Sequence, residues 1–182
     1  MSDTGWLSPS TMADDDTVGD AAWSNPDNAK TSDGSYATAS SLSTYGDITD
    51  KVIKLVDESG SLVGDNNADT STAYPGTDNY VSYGGSSDLW GNTWSYTDIN
   101  NSNFGIVLQS TGVDADSEYL KATNFGFSIP TGSTIDGIET RIEKQQANPG
   151  LGIDAYIDHI QIKVYYTEGG ATSAPFPMFF RP

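Results

Sequence analysis

The sequence predicts an all-β fold, a single antiparallel β-sandwich of jelly-roll type, and three observations support the prediction. From Ile153 to Thr167 the chain reads IDAYIDHIQIKVYYT, where apolar Ile160, Ile162, Val164 and Tyr166 alternate with His159, Gln161, Lys163 and Tyr165. Side chains of an extended strand point alternately to opposite faces, so this run sets a dry face on a core and a wet face in solvent. Gly, Ser, Thr, Asn and Asp fill most of what the 36% hydrophobic and 18% charged residues leave, the balance of many short strands joined by tight turns. No segment sustains a helical period, while turn signals divide the chain into roughly seven to ten short strands.

Residues 1–35 show almost no periodicity but carry Trp6 and Trp23. Large aromatics are rare in disordered tails, so this segment reads as an ordered arm that lies over the body with its two tryptophans as anchors. The sandwich domain spans residues 36–168. Its first strand signal is weak, around Tyr36 to Ser41, whereas Val52 to Asp57 reads as a clear strand turning through 58–61 into Leu62-Val63. A polar loop over 64–78 leads to a strand at Tyr80, Val81 and Tyr83 that stops at Gly84-Gly85. Leu89 and Trp90 precede a Gly-Asn turn, Trp94 follows it, and 97–100 reads as one capped helical turn with Ile99 directed to the core. Phe104, Ile106 and Leu108 share one face of the next strand. Residues 118–129 suggest a strand pair ended by Pro130-Thr131-Gly132. Ile135, Ile138, Thr140 and Ile142, interleaved with Glu139, Arg141 and Glu143, give another half-buried strand before the long closing one. Residues 169–182 form an extended tail, in which a Gly hinge precedes Phe176, Met178, Phe179 and Phe180 spaced by prolines that oppose helix and sheet. Such residues either fold back on their own domain or insert into a neighbouring subunit, and the hinge favours the second.

Function classes are narrowed by composition. With 25 acidic against 8 basic side chains, the net charge of −17 repels a phosphate backbone, so nucleic acid is not an expected partner. Without cysteine there are no disulfides, thiolate nucleophiles or Cys-based zinc sites. Neither a basic-then-apolar leader nor an apolar run of membrane-spanning length occurs in the sequence. His159 is the one histidine, set in a strand beside Asp158, and reads as a satisfied surface or interface residue rather than a catalytic base. No spacing picks out a carboxylate pair, and no glycine motif lies between a strand and a helix, so no catalytic residue, metal ligand or cofactor is expected. Acidic loops at 14–20 and 65–69 leave calcium stabilisation as a minor alternative.

Four stretches, GWLSPSTMADDDTVGDAAWSNPDNAKTSDGSYATA, YVSYGGSSDLWGNTWSYTDINNSNFGIVL, YLKATNFGFSIPTGSTIDGIETRIEK and IDHIQIKVYYTE, resemble a group of β-sandwich proteins of tailed phages and prophages. The resemblance covers most of residues 5–168. It departs from the group in block order: there the YLKATNFGFSIP block directly follows SYATA, whereas here the hairpin and Trp-rich block come first. The resemblance implies a non-enzymatic virion structural protein, a capsid decoration, neck, tail or fibre component, located in the extracellular particle. Partners implied are further copies of the chain or capsid and tail proteins, with no membrane. The expected partner-binding residues are Trp6 and Trp23 of the arm and, on physical grounds alone because the tail lies outside the resemblance, Phe176, Met178, Phe179 and Phe180. The alternative is a carbohydrate-binding or receptor-binding module that stacks a host surface glycan on Tyr80, Tyr83, Trp90 and Trp94.

Overall fold

Alternating apolar residues build two antiparallel sheets that face each other across one hydrophobic core, and the computed structural model describes this for residues 1–148 and 152–169. The strands are β1 (Ser2–Asp3), β2 (Thr11–Asp15), β3 (Trp23–Ser24), β4 (Ala37–Ser43), β5 (Thr49–Val56), β6 (Leu62–Val63), β7 (Asn79–Gly85), β8 (Gly105–Thr111), β9 (Tyr119–Thr123), β10 (Thr134–Ala147) and β11 (Ile153–Thr167). A 3-10 turn covers Pro26–Ala29 and one helical turn, α1, covers Tyr96–Ile99. One sheet runs β3-β4-β11-β10-β7 with β1 also on β11; the other runs β2-β9-β8-β5-β6.

The long hairpin β10-β11 is the spine of the first sheet. Ile138, Ile142, Ile157, Ile160, Ile162 and Val164 are fully buried and face the second sheet, whose Ile53, Leu55, Ile106, Leu108 and Leu120 close the core from the other side. The pairing slips between Glu143 and Lys144, where Glu143 opposes His159 and Lys144 opposes Ile157. Asp158 is the extra residue of this bulge, and its carboxylate accepts from the backbone N–H groups of Asp33 and Gly34.

The expected hairpin at 52–63 is β5-β6, and the expected helical turn is α1 with Ser95 and Asp98 forming a reciprocal capping box over buried Ile99. The expected strand pair over 118–129 is only half present: β9 pairs, but 124–130 does not. Asn124 takes φ 57°, and the side chain of Asn100 both donates to Ile129 O (2.9 Å) and accepts from Ile129 N (2.8 Å), occupying the groups a partner strand would use.

Residues 1–35 contribute strands to both sheets. β2 is an edge strand of the second sheet in register with β9, Met12 opposite Ala122, while β1 and β3 join the first. Along one edge of β11 the neighbours are, in turn, β4, Lys30, Leu7 and β1, each pairing with a short stretch of it. The tail over 170–182, with Phe176, Met178, Phe179 and Phe180, lies outside the described residues.

Candidate functional site

β10 carries two cations of opposite fate, and each organises a cluster. Lys144 follows Ile138, Thr140 and Ile142 in phase and so points between the sheets, where it is 3% exposed. Its Nζ donates to Asp50 Oδ1 (2.6 Å) and to Tyr83 Oη (2.6 Å), and the Tyr83 hydroxyl donates to Asp50 Oδ2 (2.7 Å). The Tyr74 ring lies 4.0 Å from the ammonium, and the Tyr74 hydroxyl shares a 2.8 Å hydrogen bond with Ser110. Asp50, on β5, is 1% exposed, so the three-membered ring of hydrogen bonds ties one sheet to the other. Desolvation pushes the Lys144 ammonium below its ordinary range, against the pull of Asp50. Burial, with Asp50 alongside, pushes the Tyr83 and Tyr74 phenols up.

Arg141 sits one residue out of phase with that face and lies on the outside of the sheet. Its guanidinium is held between the rings of Trp6 (4.3 Å) and Tyr80 (4.5 Å), and its Nε and Nη2 both donate to Gln161 Oε1 (2.8 and 2.6 Å). Lys163 contacts the same Trp6 ring at 4.4 Å and pairs with Glu139 at 3.1 Å. His159 bonds Ser8 Oγ through Nε2 and Tyr80 Oη through Nδ1, each at 2.8 Å. Burial lowers the His159 pKa, partly offset by Glu143.

The predicted wet face of β11 is therefore largely dry, since His159 is 8% and Gln161 9% exposed. Residues 4–8 explain this: Leu7 pairs with Ile162, which lays Trp6 and Ser8 against Arg141, Lys163 and His159.

Of the predicted partner-binding pair, Trp6 is half-buried on this outer face and Trp23 is buried in the core, its Nε1 donating to Glu118 O at 2.8 Å. Trp23 is thus a corrected assignment, because its ring is spent inside the molecule. The sugar-stacking platform is corrected in the same way. Trp90 is fully buried with Nε1 on Ile138 O (3.0 Å), Trp94 packs edge-on to Phe104 at 5.3 Å, and Tyr83 belongs to the Lys144 cluster. Only Tyr80 of the four lies on the outer face, and its ring is occupied by Arg141. Gly84 makes room for Trp90: at φ 73°, a Cβ there would stand 2.4 Å from the indole nitrogen.

In the acidic loops the carboxylates serve backbone turns. Asp14 accepts from Trp23 N, and Asp69 accepts from the N–H groups of Ser71 and Thr72 and from the Ser71 hydroxyl. Among the described residues no group of three or more His, Asp or Glu side chains is placed to hold a metal ion, and no helix is long and apolar enough to cross a membrane. Lys144 and Asp50 escaped the sequence reading. A cation in phase with Ile138 and Ile142 is the signal that could have found Lys144; Asp50 gives none, because a bulge between Asp50 and Val52 breaks the phase of β5. Compared with known proteins, the chain matches no family model, no curated protein and no solved structure at a significant level.

Proposed function

We propose that the protein is a non-enzymatic virion structural component of tailed-phage type, a decoration, neck, tail or fibre element that docks as a rigid block on copies of itself or on capsid and tail proteins. The main support is the internal engagement of its chemically capable side chains. Lys144, Asp50 and Tyr83 bind one another between the sheets, and His159 is held by Ser8 and Tyr80. Such groups stiffen a scaffold instead of facing a substrate. The resemblance of four sequence blocks to phage β-sandwich proteins supplies the setting, and the charge of −17 suits a soluble particle surface that does not touch nucleic acid. In this reading the tail segment with Phe176, Met178, Phe179 and Phe180 contributes the contacts between subunits, together with half-buried Trp6.

Quantitative mass spectrometry of gradient-purified particles from a producing culture tests the proposal. The chain should co-purify with the particle at a fixed ratio to the major capsid protein. A protein found only in the particle-free fraction would refute a virion role. Deleting residues 170–182 should abolish that incorporation while leaving the β circular-dichroism signal intact.

A further inference from the structure

The Lys144 cluster is arranged for a covalent reaction as well as for an ion pair. We propose that Lys144 and Asp50 join in an intramolecular isopeptide bond, Nζ to Cγ, which locks the two sheets together. Three observations meet the demands of that reaction.

The nucleophile and the carbonyl are in contact. A nitrogen hydrogen-bonded at 2.6 Å to one carboxyl oxygen stands in the near-attack range of the carboxyl carbon, roughly 3–3.5 Å. Both groups are held by long strands of opposite sheets, β10 and β5, so the encounter is already made, and effective molarities on the order of 10⁵–10⁸ M apply to such positioned pairs.

Water is excluded, which favours condensation over hydrolysis. Lys144 is 3%, Asp50 1%, Tyr83 5% and Tyr74 2% exposed, and fully buried Ile142 and Ile157 flank the lysine. Burial also favours the neutral amine that attack requires, consistent with the lowered Lys144 pKa. Two ions left in this interior carry a desolvation penalty that a neutral amide does not.

A proton route exists. The Tyr83 hydroxyl accepts from Nζ and donates to Asp50 Oδ2, so one phenol bridges the atom that must lose protons and the oxygen that must gain them. The step balances without any co-reactant. As Nζ attacks Cγ, Tyr83 relays two protons of the ammonium, one after the other, to Oδ2. The Cγ–Oδ2 bond breaks, water leaves, one hydrogen stays on the amide nitrogen, and Oδ1 remains as the amide carbonyl. No atom is oxidised or reduced.

The purified full chain, denatured and measured by intact-mass spectrometry, decides the matter. The expected mass is lower than that of the sequence by one water, and digestion should yield a branched peptide joining the segments around Asp50 and Lys144, with no cleavage by trypsin after Lys144. A chain at full sequence mass overturns the proposal. So does a lost water that maps elsewhere, for instance to a succinimide at Asp33-Gly34 or Asp136-Gly137. Lys144→Ala and Asp50→Ala should each restore full mass, folded or not. Tyr83→Phe keeps the ring but removes the relay, so freshly purified variant should be mostly unlinked; linkage as complete as in the wild type would overturn the role given to Tyr83.

Discussion

Arg141 and Lys144 lie three residues apart on one strand, each between two aromatic rings, yet one faces outward and the other inward. Arg141 is satisfied by a neutral partner, Gln161, between Trp6 and Tyr80, whereas Lys144, between Tyr74 and Tyr83, meets a carboxylate. The contrast shows what depth demands. At the half-buried surface, a cation needs flat polarizable neighbours and a few acceptors, because water supplies the rest. Between the sheets nothing else supplies it, so charge has to be neutralised where it stands.

The comparison breaks most visibly at Lys144. Lys144→Met strands Asp50 in the core, and should cost about 3–5 kcal/mol in chemical denaturation. Adding Asp50→Leu should return the share of that loss that comes from the stranded carboxylate, since an apolar replacement removes the buried charge, while the share that comes from losing the covalent link between the sheets stays. If the double variant is no more stable than the single one, the loss belongs to packing and to the broken link rather than to charge.

A smaller effect is expected outside. Trp6→Ala removes a ring shared by Arg141 and Lys163 and should cost about 1–2 kcal/mol by the same measurement. The loss should be the same at low and moderate salt, because the ring carries no net charge. An equal penalty for Trp6→Ala and Lys144→Met would erase the distinction between the faces.

The smallest expected effect sharpens the picture of the outer cluster. His159 has a folded pKa below its ordinary value of 6.5, so at and below that pH the unfolded chain binds the proton more readily than the folded one. Its contribution to stability is complete above about pH 6.5 and is lost as pH falls from there toward the lower folded value. His159→Gln can bond Ser8 and Tyr80 without titrating. Melting temperatures of the two proteins should converge at neutral pH and separate below 6.5, with the wild type falling faster; parallel curves would mean that His159 is not strained by burial. Further down the scale, Asp57 and Asp116, whose pKa values lie below the carboxylate norm, add a second loss in both proteins.

What could be read in the sequence followed strand phase. The inward row Ile160, Ile162 and Val164 and the hairpin at 52–63 were legible because one residue in two is apolar there and the turns are polar. The outward row was misjudged: His159 and Gln161 look solvated in a strand seen alone, and only the return of residues 4–8 from the far end of the chain covers them. Residues 1–35 were unreadable for the same reason, since β1, Leu7 and Lys30 pair in fragments too short to show a period. At 124–130 the alternation of Phe125, Phe127 and Ile129 is real and buries all three, but the side chain of Asn100 replaces a partner strand, which no period reports. The tryptophans 90 and 94 carried no positional signal of their own; burial, not residue type, settled that they pack the core.

Ser2 lies opposite Tyr166, so a strand that precedes the rest of the sandwich pairs with the strand that closes it. Until β11 has emerged, β1, Leu7 and Lys30 have no edge to join, and β10 lacks its hairpin mate. A nascent chain must therefore hold β1, Leu7 and Lys30 unpaired until the closing strand is made, a delay that slows closure and leaves an edge open to neighbouring chains.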